Sequence, residues 1–100
     1  MNANPIPQPE ADLLRRFADG DEAAFTEIVD RYAGLVFCVC NRVLGDRGRA
    51  EDVAQETFFR LVKCPDRVSH SLGGWLHRAA TRLAVDTLRS ERARHRREQT

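Results

Sequence analysis

Apolar residues recur three and four positions apart over most of the chain, and the recurrence breaks at a few caps and turns. Between Glu22 and Leu44 they fall at Phe25, Ile28, Val29, Tyr32, Leu35, Val36, Val39 and Val43, the spacing of a helix that buries one stripe. Asp21 precedes this run as an N-cap, and Gly45 with Asp46 ends it. Upstream, after prolines at positions 5, 7 and 9, a short helix is predicted from about Glu10 to Ala18, stopped by Asp19 and Gly20. Downstream a third helix runs from about Arg49 to Lys63 and closes before Pro65, whose ring cannot continue the hydrogen-bond ladder. A polar loop from Cys64 to Ser71 leads to a last helix, capped by Ser71, weakened in its first turn by Gly73 and Gly74, and reaching to about Arg97. The expected fold is all-α, a compact bundle of about four helices. Residues 1–9 form a disordered lead and 10–97 the helical domain.

The third helix presents two unlike faces. Asp52, Gln55, Glu56, Phe59 and Lys63 share one side, and Val53, Thr57, Phe58, Leu61 and Val62 gather on the other. A phenyl ring in the middle of a charged, solvent-type face fits an apolar anchor for a protein partner. The competing reading is a single stray exposed Phe.

The last helix carries a second surface. With Arg78 set at 0°, Arg82 falls at about 40°, Asp86 at about 80°, Arg89 at about 20°, Arg92 at about −40° and Arg96 at about 0°. Leu72, Leu76, Ala79, Ala80, Leu83 and Thr87 lie on the far side, with Trp75 at the border. A row of guanidinium groups suits a phosphate backbone, and a neighbouring aromatic suits stacking on bases. A solvated basic helix end with Trp75 in the core is the plainer alternative. Asp86 bears on the choice, because a carboxylate within an arginine stripe weakens phosphate binding. It needs either an i to i+4 pair with Arg82 or a base amino group to accept from.

Charge reinforces this division. Residues 1–62 hold 7 Arg against 11 Asp and Glu, whereas residues 63–100 hold 8 Arg and 1 Lys against 4 acids. The chain is acidic in front and basic behind, as suits one part meeting a protein surface and the other a polyanion. One hundred residues with 42% hydrophobic content support one domain and one core. No apolar run is long enough to span a membrane and no export signal is present, so a cytoplasmic protein is expected. Three cysteines cannot complete a disulfide framework, which fits a reducing compartment.

The string AEDVAQETFFRLV, followed after a loop by GWLHRAATRLAVDTLRSERARHRR, resembles region two of bacterial sigma factors, in particular the extracytoplasmic-function (ECF) group. RYAGLVFCVCNRVLGD resembles the preceding helix of that group, so the likeness covers about residues 13 to 97. The resemblance implies that Asp52, Gln55, Glu56 and Phe59 dock on the clamp of the largest subunit of RNA polymerase, with Arg60 and Lys63 at the rim. It implies that the helix from Trp75 onward recognises and melts the minus-ten promoter element, with Arg78, Thr81 and Arg82 at the duplex edge and backbone. Asp86 matches the position lining the pocket for a flipped base of the non-template strand, and the loop from Cys64 to Leu72 matches the segment around it. Arg89 and Arg92 continue the DNA-facing stripe. The partners so implied are polymerase core, single-stranded promoter DNA and, as a candidate, an anti-sigma factor. The position after Leu61, often Trp in the group, is Val62 here. The group also carries a second helical domain with a helix-turn-helix, so the resemblance implies that these 100 residues are one domain of a longer protein, with 98–100 the start of an interdomain linker. The alternative is a helical protein-interaction regulator that keeps the sigma fold without promoter melting.

Other chemistry is disfavoured. Cys38 and Cys40 are about 200° apart on a helix and cannot face one metal without unwinding it; both are expected as buried, inert thiols. A redox role for Cys64, beside Lys63 and Arg67, is the weaker reading. No nucleophile or carboxylate pair is organised around His77, and no Gly-rich phosphate loop, HExxH or GxSxG occurs. Neither an enzyme nor a metal or cofactor site is expected.

Overall fold

Asp21 and Gly45 delimit the longest regular segment of the middle of the chain, and each does so by an identifiable bond. The computed structural model describes residues 8–64 and 71–99, with side chains described from Glu10 onward; the expected lead before residue 8 and the central part of the loop, 65–70, lie outside the described residues. Four helices follow in order: α1 (Gln8–Ala18), α2 (Glu22–Leu44), α3 (Arg47–Lys63) and α4 (Leu72–Glu98). The carboxylate of Asp21 accepts from the N–H groups of Ala23 and Ala24, at 3.0 and 3.4 Å. At the other end Gly45 takes φ 67°, a left-handed conformation that Gly adopts without a Cβ penalty, and its N–H reaches the carbonyl of Asn41 at 2.8 Å.

Asp46, expected to finish α2, instead opens α3. Its side chain accepts from the Arg49 N–H at 3.0 Å, so α3 begins at Arg47, two residues early, and only Gly45 and Asp46 separate the two helices. Helix α1 also begins early, at Gln8, with Pro9 in the first turn where a missing N–H costs nothing.

The core is built where the helices meet. Ile28, Val36, Val39 and Cys40 of α2, Ala50, Val53, Phe58 and Leu61 of α3, and Leu72, Leu76, Ala80 and Ala84 of α4 are buried together, with Leu13 and Leu14 of α1. On α4 these residues recur every four positions, and small Ala side chains at two of them let the helix lie close to its neighbours. Thr57 is buried without cost because its hydroxyl donates to the Val53 carbonyl at 2.8 Å.

Three expectations of burial fail. Leu35 is 39% exposed. The buried positions of α2 move round the helix between its first half, Ala24 and Ile28, and its second, Val36, Val39 and Cys40, as α2 passes among α1, α3 and α4. Leu35 lies about 90° from the mean direction of that second set. Val62 is 48% exposed because it stands about 100° from buried Leu61, on the flank of α3. It borders a shallow notch against Phe17 and Phe25, whose rings stack at 5.4 Å. Cys38 is exposed and only Cys40 is buried, as a two-residue step along a helix requires.

Candidate functional site

Helix α3 turns its charged face outward. Asp52, Gln55, Phe59, Arg60 and Lys63 are exposed and Glu56 is half-buried. Phe59 keeps 50% of its surface accessible, while Phe58, its neighbour in sequence, is in the core. Next to Phe59 and one turn after Glu56, Arg60 places its Nε 3.4 Å from a Glu56 carboxylate oxygen. An exposed i to i+4 pair of this kind contributes only about 0.3–0.5 kcal/mol, so it does not hold either side chain in place.

Helix α4 presents its arginines in the same way. Arg78, Arg82, Asp86, Arg89, Arg92 and Arg96 are all exposed along one stripe. Arg78 to Arg92 spans about 21 Å at the helical rise. No ion pair joins Asp86 to Arg82 or to any other described residue, so the intrahelical pairing weighed for Asp86 is not formed. Thr81 is half-buried, its hydroxyl donating to the His77 carbonyl at 2.8 Å. Trp75 is half-buried, one part packed on the core and the other open to a groove.

That groove is where the two helices come together. It encloses about 690 Å³ and is lined by Arg60 and Cys64 from the end of α3 and by Trp75, Arg78, Thr81 and Arg82 from α4, among others. Asp86, Arg89 and Arg92 are not part of its lining and continue the stripe beyond it. The geometry therefore gathers four of the seven predicted DNA-facing residues around one concavity and leaves the other three on the open helix. It also brings in Arg60, which the family resemblance set at the rim of the polymerase-facing surface.

The sequence did not point to Glu10. This carboxylate is 7% exposed, accepts from the N–H of Leu72 at 3.0 Å, and accepts from the hydroxyl of Tyr32. It thereby ties α1 and α2 to the first turn of α4, three residues before Trp75. Burial, and then the hydrogen bond to Glu10 and its charge, push the Tyr32 phenol up to about 12. Ser71 adds the predicted cap, its hydroxyl accepting from Gly74 N–H at 2.9 Å. Gly73 is small for a reason: a Cβ there would lie 3.3 Å from a Tyr32 ring carbon. At the far end, an ion pair between Arg49 and Glu91 joins the start of α3 to the later turns of α4. Glu10 was invisible because its partner at Leu72 is 62 positions away.

Comparison with known proteins gives a consistent picture. The family model described as sigma-70 region 2 matches residues 28–94. The chain is 36% identical over 81 residues to the ECF RNA polymerase sigma factor SigW of Bacillus subtilis, covering 79% of this chain and 43% of that protein. It is 37% identical over 89 residues to the ECF RNA polymerase sigma factor SigK of Mycobacterium tuberculosis, covering 86% and 48% respectively. With SigE of Mycolicibacterium smegmatis, an ECF RNA polymerase sigma factor, identity is 38% over 76 residues, 72% of this chain and 30% of that one. The chain thus spans about half, or less, of the length of these relatives.

Proposed function

Because the chain belongs to the sigma-70 region 2 family, in its extracytoplasmic-function group, we propose that it is the part of a sigma factor that joins RNA polymerase to the minus-ten promoter element. The exposed face of α3 docks on the polymerase clamp, with Phe59 as the apolar anchor and Asp52, Gln55 and Glu56 supplying acceptors around it; Lys63 and Arg60 lie at its rim. Helix α4 takes the single-stranded non-template strand. Trp75 offers a stacking surface, Arg78, Arg82, Arg89 and Arg92 meet phosphates, and Thr81 borders the groove.

The observation that carries this reading is the exposure of both surfaces on two helices packed side by side, with an aromatic and arginines lining one groove between them. A domain so built can hold polymerase with one helix while the next one captures an unpaired strand. Asp86 fits as a reader of a base amino group, since it is exposed and carries no ion pair among the described residues. Magnitudes explain the need for polymerase. Each base-pair step opened costs about 1.4 kcal/mol in stacking, and one aromatic platform returns about 1–3 kcal/mol per base. Trp75 alone holds about one step open.

The test is a set of substitutions made in the full protein. Phe59→Ala or Glu56→Arg is expected to weaken binding to a clamp fragment at least tenfold. Arg82→Ala combined with Arg89→Ala is expected to leave clamp binding unchanged while abolishing promoter opening, and Asp86→Ala to change which base is preferred at one promoter position. Clamp binding that survives in every variant alongside unchanged opening in the arginine double variant would overturn the proposal.

A further inference from the structure

We infer that Arg60, although carried by the helix that faces the polymerase, is a phosphate-contacting residue of the DNA groove. The inference rests on the reading of α4 just given and extends it to a residue on the neighbouring element. Arg60, in the last turn of α3, and Cys64, the residue that caps it, both line the groove, so this end of the helix borders α4. There Arg60 joins Arg78, Arg82 and Trp75 in the lining.

Three arginines drawn from two helices thus line the same groove as one aromatic side chain. A base stacked on Trp75 brings a phosphate on each side of it, and a row of arginines along α4 alone reaches only one flank of the groove. Arg60 supplies a donor from the other. Its contact with Glu56, through Nε at 3.4 Å, is exposed and weak, and so does not withhold the guanidinium from a phosphodiester. Lys63, three residues later on the same helix, is exposed but absent from the groove lining, which makes it a matched control of equal charge.

The experiment measures binding of this chain to a fluorescently labelled single-stranded DNA oligonucleotide over a range of salt concentrations. The substitutions are at exposed positions, and helicity by circular dichroism confirms that each variant folds. Arg60→Gln is expected to reduce the magnitude of the log affinity against log salt slope by about 0.7, equal to a loss of affinity between about 50 and about 200 mM salt that is roughly two- to threefold smaller than in the parent. Arg82→Gln is expected to do the same, and Lys63→Gln and Glu56→Gln to leave the slope unchanged. A slope lowered by Arg82→Gln and untouched by Arg60→Gln overturns the inference alone. Equal lowering by Arg60→Gln and Lys63→Gln also overturns it, since the effect then follows net charge and not position. A slope insensitive to both arginines removes the DNA reading of α4, and this inference with it.

Discussion

Cys38 and Cys40 differ by two positions and by most of their chemistry. Cys40 is fully buried and burial pushes its thiol above the ordinary range, whereas Cys38 is exposed on the opposite side of α2. The thiolate is the reactive form, so the two should separate under an alkylating agent. Iodoacetamide at pH 8 is expected to label Cys38 roughly tenfold faster than Cys40 in the folded protein, read by peptide mass spectrometry; equal rates would mean that α2 opens on the labelling timescale. Asp21 is a second residue whose environment is legible. The hydrogen bond from Arg16, at 2.9 Å, is the largest effect on its carboxyl; burial opposes it, and the N–H groups of Ala24 and Ala23 add to it, so the carboxyl stays below its ordinary range. The cap was readable in the sequence because Asp before a periodic apolar run has few other uses, but the arginine five positions upstream was not, since it acts only across the turn between α1 and α2.

Among the elements, α4 shows most clearly how local and distant causes combine. Two consecutive glycines in the first turn lower its intrinsic stability by roughly 1 kcal/mol each relative to Ala, yet the helix begins at Leu72. The start is held by Ser71 from its own loop and by Glu10 from α1. Glu10→Ala leaves the Leu72 N–H and the Tyr32 hydroxyl without their acceptor in a buried place, at a cost of about 1–3 kcal/mol. For a domain of this length each kcal/mol moves Tm by about 4–8 °C. A drop in Tm of about 5–20 °C is therefore expected by differential scanning calorimetry, and Glu10→Gln, which keeps the Oε1 acceptor, is expected to recover about half of it. A change below about 1 °C would show that Glu10 does not hold α4. The other helix limits needed no such help: Asp21, Gly45 and Asp46 act within four residues of themselves, which is why α2 runs over the predicted span and α3 departs from its predicted start by only two residues.

For the molecule as a whole, the same buried cluster sets an alkaline limit. Tyr32 is the single tyrosine, and folding raises its phenol from an ordinary value near 10 to about 12. The folded state thus favours the neutral phenol, so its contribution to stability is fully present below pH 10 and is lost as pH rises toward 12. Denaturant midpoints are expected to stay level up to about pH 10 and then fall, with the fall reduced in Tyr32→Phe; titration of phenolate absorbance near 295 nm in the native protein checks the assignment directly. A phenolate midpoint near 10 would refute it.

The helices, their caps and the outward direction of Phe59 and of the α4 arginines were determined by the sequence alone, because helical period and capping act over one or two turns and every residue involved is close along the chain. Family membership was likewise legible, in the two motif strings and their spacing. The tertiary structure decided the rest: that Leu35 and Val62 are exposed, that Glu10 anchors the first turn of α4, and that Arg60 shares a groove with Trp75. Each of these depends on how one helix lies against another. Residues distant along the chain meet only when helices pack, and which flank of a helix a neighbour covers follows from packing geometry that no periodicity within a single helix contains.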